Sequence, residues 1–316
     1  MRIVLAEPLG ISPETLEALS APLREQGHRF ISYPTVWQSE AELLDRCQGA
    51  DILMIANHPL PAAALSVCPN LRFVSVAFVG YDHVDLQACR SAGVQISNTA
   101  GYCDDAVAEL AVGLAIASLR RIPECDTAVL AGKGKGDLAG HELAGRTVGI
   151  IGTGSIGMRT AQLFSAFRCP LLGWSRSNRP EAEALGIRYL PLPELLSKSD
   201  IVTLHVPLTE NTRGLIGRAE LEQMREGALL INTARGPVVD AHALSEALHA
   251  RRIYAAIDVY DADPPLSQGH PLRDAPNLIR TPHVGFDTRE SIDRRAAMAF
   301  ENVSSFLAGA ALRRVL

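Results

Sequence analysis

The hexapeptide Gly152-Thr153-Gly154-Ser155-Ile156-Gly157 constrains this chain more than any other stretch. An apolar run at 147–151 precedes it and reads as a buried strand. Residues 158–167 follow with the spacing of an amphipathic helix. Strand, Gly-x-Gly-x-x-Gly and helix in that order are the context of a dinucleotide fold. The first Gly permits a tight turn, the second lets the backbone approach a pyrophosphate, and the third lets the helix pack closely on the strand. Free N–H groups at the helix start then face the phosphates. The expected phosphate-binding residues are Gly152, Gly154, Ser155, Ile156 and Gly157.

A chain of 316 residues is long for one core, so two domains are expected. Residues 2–7, 29–32, 51–55, 72–77 and 94–97 read as strands, with helical patterns at 12–26 and 40–47 between them. This alternation implies a parallel sheet with helices on both faces. A helical segment rich in Ala and Leu at 105–119 and a Gly-rich loop at 132–136 lead into a second alternating series. Its predicted strands are 147–151, 170–175, 200–206, 228–232, 254–259 and 277–281, six in all, the number in a full dinucleotide domain. The fold class is α/β, with two doubly wound parallel-sheet domains. Because the nucleotide motif lies in mid-chain, the substrate domain is not wholly C-terminal. The expected division is 1–98 plus 290–316 for the substrate domain and 99–289 for the dinucleotide domain, with a long helix at 289–308 crossing back.

A net charge of -5 argues against a nucleic-acid partner, which would need clustered Lys and Arg. The densest basic piece, Lys133-Gly134-Lys135, reads as a surface loop. No stretch approaches the ~20 apolar residues of a membrane span, and the five-residue apolar run near the start is short for a secretory signal. The expected compartment is the cytoplasm. Six cysteines, none spaced as Cys-x-x-Cys, read as free thiols, and Cys103 is given no catalytic role.

Three charged residues stand at or just beyond the carboxyl ends of predicted strands, where open α/β sheets bind ligands. Arg235 follows the strand ending at Asn232. Asp263 follows Asp258-Val259. His283 follows Thr281-Pro282. Each alone has a structural reading, as a surface ion pair, a turn former and a loop histidine respectively; the three together at corresponding strand ends point to a site.

With these residues in place, the sequence resembles the D-isomer-specific 2-hydroxyacid dehydrogenases. The resemblance rests on residues 152–157, Leu204-His205-Val206-Pro207-Leu208-Thr209, Asn232-Thr233-Ala234-Arg235-Gly236, Asp258-Val259-Tyr260 and Thr281-Pro282-His283. Gly80-Tyr81-Asp82-His83-Val84-Asp85 and Asn98-Thr99-Ala100-Gly101-Tyr102 also fit. It implies a Rossmann nucleotide domain inserted into a flavodoxin-like substrate domain. It also implies nucleotide contacts from His205, Val206, Pro207, Thr212, Thr233, Ala234, Arg235, Asp258, His283 and Gly285.

The implied reaction is reduction of a 2-keto acid to the D-2-hydroxy acid. Arg235, always charged and rich in N–H donors, clamps the carboxylate and polarises the carbonyl. Backbone N–H groups of Val79 and Gly80 hold the carboxylate as well. His283 donates the proton, histidine being the side chain whose unperturbed pKa of about 6.5 suits that task. Asp263 orients the imidazole and favours its charged form. Relatives usually carry Glu where this chain has Asp263. The missing methylene shortens the reach by about 1.5 Å, large beside the ~0.5 Å tolerance of a catalytic site. The pairing then needs compensation from the 261–265 loop or a bridging water, and Asp261 is the fallback partner. Phe286 stands where relatives often carry a small residue and is expected to narrow the pocket.

The second nucleotide-domain strand is followed by Ser175-Arg176-Ser177, without the acid that holds a ribose 2′-OH. Ser hydroxyls and a guanidinium suit a 2′-phosphate, so the expected cofactor is NADP(H), with NAD(H) the alternative; Arg179 is a second candidate cation. The turn also looks like that of NADPH-dependent glyoxylate/hydroxypyruvate reductases. The loop Ala56-Asn57-His58-Pro59-Leu60 lacks the Arg that phosphoglycerate dehydrogenases use for phosphate, which favours glyoxylate, hydroxypyruvate or pyruvate. His58 reads as a surface histidine before a proline, with a ligand-lip residue the alternative, and Tyr33 and Trp37 read as packing residues, with caps over the pocket, in one chain or across a dimer, the alternative. No metal is needed for hydride transfer with a histidine acid. The resemblance implies a homodimer formed through 105–145. The competing reading is a nucleotide-sensing, corepressor-like binding protein on the same fold.

Overall fold

The computed structural model describes residues 1–262, 264–310 and 312–316. The chain divides into two compact units, Met1–Cys103 with Thr288–Leu316, and Asp104–Asp287.

The first unit is built on five parallel strands: β1 (Arg2–Leu5), β2 (Arg29–Ser32), β3 (Ile52–Ile55), β4 (Phe73–Val76) and β5 (Gln95–Ser97), in the order β2-β1-β3-β4-β5. β3 and β4 are buried at every position, as continuous apolar strands between two helix layers must be. Helices α1 (Pro13–Glu25), α2 (Glu40–Cys47), α3 (Ala62–Ser66) and α4 (Leu86–Ser91) make the crossovers. Ser12 and Ser39 cap the first two by accepting from the N–H groups of Thr15 and Glu42. The helix Arg289–Leu307, α12 by its place in the chain, lies on β4. The Ser75 hydroxyl donates to the Ala299 carbonyl at 2.9 Å, and Phe306 stacks on Phe73 with centroids 4.5 Å apart.

The second unit opens with α5 (Asp104–Leu119) and α6 (Ile122–Leu130). Its sheet comprises β6 (Val148–Ile151), β7 (Leu171–Trp174), β8 (Arg188–Tyr189), β9 (Ile201–Leu204), β10 (Leu229–Asn232), β11 (Tyr254–Ile257) and β12 (Leu278–Arg280). The order is β12-β11-β10-β9-β6-β7-β8. Helices α7 (Ser155–Ala166), α8 (Pro180–Ala184), α9 (Leu192–Lys198), α10 (Arg218–Gln223) and α11 (Ala241–His249) connect the strands. The sequence pattern predicts six strands here, whereas the described residues form seven. The extra one, β8, has two residues and pairs with β7 alone, too short to show periodicity. α7 also starts earlier than the apolar spacing suggests, because the Gly motif itself makes the first turn.

The core beneath β6 joins Ala161 and Phe164 of α7 to Ala111 and Ala115 of α5. All six cysteines are free thiols. No helix among the described residues is long and apolar enough to cross a membrane. Phe164 is fully buried between these layers. Phe164→Ala is expected to cost about 3–5 kcal/mol, read as a lowered denaturant midpoint; a change below 1 kcal/mol would contradict this packing.

Candidate active site

The turn after β6 is built for close approach. Gly152 has φ +96°, and a Cβ there would lie 2.5 Å from the His205 carbonyl oxygen. A Cβ at Gly157 would lie 1.9 Å from the Gly152 carbonyl oxygen. No side chain at Gly154 caps α7, so the first N–H groups of this twelve-residue helix are left for an anion. The residues to which the sequence assigns a phosphate cradle, Gly152, Gly154, Ser155, Ile156 and Gly157, thus form a tight turn into a helix start without a side-chain cap.

The turn after β7 lies beside it. The Tyr189 hydroxyl is 2.7 Å from Thr153 Oγ1 in the Gly loop and accepts from the Arg179 N–H at 3.3 Å. Ser175 is half-buried, Ser177 and Arg176 are exposed, and Arg176 makes no ion pair among the described residues.

Two polar atoms near the ends of β9 and β10 are shielded and lack a hydrogen-bond partner among the described residues: His205 Nδ1 and Thr233 Oγ1. Orphaned groups of this kind call for an explanation, and a nucleotide held over these strand ends would be one source of partners. His205 is fixed by its N–H to the Ile151 carbonyl at 2.7 Å and by Nε2 3.0 Å from Thr203 Oγ1. Burial pulls its imidazole down to about 3. Thr212 turns its hydroxyl inward, donating to the Pro207 carbonyl at 2.6 Å and closing the loop behind Val206. The cradle, the open helix start and these orphans fit a dinucleotide.

Arg235 and His283 leave neighbouring parts of the sheet on braced loops. Asn232, 1% exposed at the end of β10, accepts the Ala234 N–H at 3.0 Å on Oδ1 and donates Nδ2 to the Arg235 carbonyl at 2.9 Å. This Asx turn sets the Arg235 backbone, and one guanidinium nitrogen donates to the Ala234 carbonyl at 2.8 Å. Asp258, beyond β11, does more. Its carboxylate accepts from Thr281 Oγ1 (2.6 Å), the Val284 N–H (2.9 Å) and the Gly285 N–H (2.8 Å). Its carbonyl accepts the His283 N–H at 2.8 Å. His283 sits at φ +59°, a left-handed conformation that a histidine tolerates better than most residues. Phe286 stands edge-on to its ring, centroids 5.4 Å apart.

The fallback acid has a histidine partner of its own. Asp261 is engaged elsewhere: its Oδ1 is 2.7 Å from His270 Nε2, which holds its carboxyl below the usual range. His270 Nδ1 accepts the Leu272 N–H at 3.2 Å, so its Nε2 carries the hydrogen donated to Asp261. Asp263 lies outside the described residues. In the other unit, Asn98 Nδ2 donates to the Val79 carbonyl at 2.7 Å, and the N–H groups of Val79 and Gly80 have no partner among the described residues. Asn232, Asn98 and Tyr189 escape sequence reasoning; Asn232 and Asn98, each an Asn at a strand's end whose Oδ1 accepts the N–H two residues on, carry a local signal, and Tyr189 carries none. Among the described residues no cluster of His, Cys, Asp and Glu could hold a metal ion.

Residues 112–285 match the family described as D-isomer specific 2-hydroxyacid dehydrogenase, NAD binding domain. The chain is 38% identical over 280 residues to a glyoxylate reductase of Thermofilum pendens, covering 86% of this chain and 82% of the relative. It is 37% identical over 316 residues to a glycerate dehydrogenase of Methylorubrum extorquens, covering 93% and 94%. A solved acyclic imino acid reductase in complex with NADPH and D-Arg superposes with a TM-score of 0.90 at 25% identity, covering all of both chains. The protein therefore belongs to the D-isomer specific 2-hydroxyacid dehydrogenases, a family of NAD(P)-dependent oxidoreductases.

Asp258→Asn replaces an acceptor of three hydrogen bonds by a group that can satisfy fewer of them. It should lower stability by about 1–3 kcal/mol and reduce hydrogen-exchange protection at Val284 and Gly285. Unchanged protection there would show that the loop is held by something else. His205 gives a pH signature. Between about pH 3 and 6.5 the unfolded chain binds a proton that the folded chain refuses, so stability rises with pH across this window and falls on acidification. One such proton is worth at most about 1.4 kcal/mol per pH unit. His205→Asn should flatten the slope of unfolding free energy against pH; an unaltered slope would assign it to other groups.

Proposed function

We propose that the protein reduces a small unphosphorylated 2-keto acid of the glyoxylate, hydroxypyruvate and pyruvate type to the D-2-hydroxy acid, with NADPH preferred over NADH. The observation that carries this reading is the pair of braced loops that present Arg235 and His283 from one sheet edge, each locked by a buried polar side chain. The Arg235 guanidinium binds the substrate carboxylate and draws electron density onto the carbonyl oxygen. The free N–H groups of Val79 and Gly80 are donors to the same carboxylate. His283 gives its proton to the oxygen that becomes the alcohol. Asp263 is its proposed orienting partner. Bound reduced nicotinamide supplies the hydride to the carbonyl carbon.

The Gly152–Gly157 cradle and the start of α7 hold the pyrophosphate, and His205, Val206, Pro207, Thr233, Ala234 and Gly285 flank the remainder of the nucleotide. Ser175, Arg176 and Ser177 favour a 2′-phosphate, since the turn Ser175-Arg176-Ser177 after β7 has no carboxylate to repel it and Arg176 makes no ion pair among the described residues. A second copy of the chain is the proposed cover for α6, where Ile122 and Leu130 are 50% and 81% exposed beside an open cleft of about 890 Å³.

His283→Ala should lower kcat by about 10²–10⁴ while nucleotide binding, followed by NADPH fluorescence, persists; intact turnover would remove His283 as proton donor. The double change Ser175→Asp with Arg176→Ala should move the NADPH:NADH ratio of kcat/KM toward NADH by roughly tenfold or more, the worth of one lost charge-assisted contact. A ratio that does not move sinks the cofactor assignment.

A further inference from the structure

The turn between β7 and α8, residues 175–179, is held from outside. Among the described residues, 175–178 make no hydrogen bond within the protein. The turn's one tie beyond α8 is the Arg179 N–H, which donates to the Tyr189 hydroxyl at 3.3 Å. The same hydroxyl lies 2.7 Å from Oγ1 of Thr153, a fully buried residue inside the Gly motif. A phenol hydroxyl has one donor and two acceptor sites. With one acceptor site on Arg179, it still has a donor and an acceptor for Thr153, so both bonds form together.

Tyr189 belongs to β8, the two-residue strand at the edge of the sheet. Its place is prepared by β7. Gly173 is its partner in the ladder, and the Gly173 carbonyl accepts the Leu190 N–H at 3.0 Å. A Cβ at Gly173 would lie 2.5 Å from Ile187 Cγ2 and 3.3 Å from Tyr189 Cε1, so the missing side chain leaves room for the phenol ring. The Gly152 N–H donates to the Trp174 carbonyl at 2.8 Å, which fixes the Gly loop against the residue just before the turn.

We propose that Tyr189 is a positioning residue for cofactor choice: through Thr153 it anchors the 175–179 turn to the Gly loop, so that Ser175, Arg176 and Ser177 meet a ribose 2′-phosphate on a backbone already in place. This rests on the NADPH reading above. A long cationic side chain loses rotamer freedom when it grips a phosphate. A turn whose backbone is fixed beforehand loses less on binding, and the saving appears as affinity. The two-residue strand β8 thereby acquires a task, since it carries the hydroxyl that spans the two loops.

The ligands 2′,5′-ADP and 5′-AMP differ by the 2′-phosphate alone. Their dissociation constants, measured by titration calorimetry on the full chain, isolate that contact without hydride transfer. The wild type should bind 2′,5′-ADP the more tightly. Tyr189→Phe, which keeps the ring and removes the hydroxyl, should lower this preference roughly three- to tenfold, the worth of one net hydrogen bond. Thr153→Val, which cuts the same link from the Gly loop, should lower it too, and the two changes combined should lose less than the product of the single losses. A general loosening of the fold would weaken both ligands alike and leave the preference where it was. A preference within twofold of wild type in Tyr189→Phe, while Ser175→Asp with Arg176→Ala abolishes it, overturns the inference and leaves the cofactor reading standing. If Tyr189→Phe does not fold, Thr153→Val decides by the same comparison. A wild type that binds 5′-AMP as tightly as 2′,5′-ADP, or a preference that none of these changes moves, overturns both.

Discussion

The buried carboxylate of Asp258 holds the segment on which the proposed chemistry depends. Three donors from residues 281–285 converge on it, and its own carbonyl takes the His283 N–H. A histidine at positive φ persists only where its surroundings over-determine it. Here they do, since the backbone on both sides is bonded to one acid. Asn232 does the same for Arg235 on the neighbouring strand. Both devices place a buried polar side chain at a strand's end, where the parallel ladder stops and backbone groups would otherwise lack partners. The sheet fixes where each loop begins, and the buried side chain fixes the path it takes.

The same economy appears in the first unit with different residues. Glu7 collects two N–H groups and a ring nitrogen from the loop after β3, and Arg46 collects carbonyls from the loops after β1 and β2. Asn98 takes the Val79 carbonyl and leaves the adjacent N–H groups open. In both units the acceptors and donors that shape a rim are inside, and the groups left without partners point to chemistry still to be satisfied. At the Gly motif the logic is steric instead: a Cβ at Gly157 would overlap the Gly152 carbonyl, so a side chain is excluded there.

Much of the α/β architecture was legible in the chain because fully buried strands are continuous apolar runs and the Gly motif has a fixed spacing. The eleven predicted strands all occur, within a few residues of the expected bounds. β8 escaped because two residues carry no period. The Glu7–His58 pair escaped because its members are 51 positions apart and meet only through the β1–β3 pairing. Asp261 was misread as a stand-in partner for His283 because nothing local announces His270, nine residues away, as its bonding partner. Asp258 was expected to face the nucleotide; that its carboxylate holds the 281–285 segment follows from the β11–β12 register, which no local pattern contains. Family membership was legible from motifs in order along the chain, whereas the bracing beneath them required coordinates.

The most direct measurement is the oxidation of NADPH and of NADH, side by side, with glyoxylate, hydroxypyruvate and pyruvate as acceptors and the configuration of the glycerate and lactate formed from the last two determined by chiral chromatography. The account predicts turnover, faster with NADPH, yielding D-glycerate or D-lactate wherever the product is chiral. Nucleotide binding without turnover on any of the three acids would contradict it and favour a nucleotide-sensing protein built on the same fold.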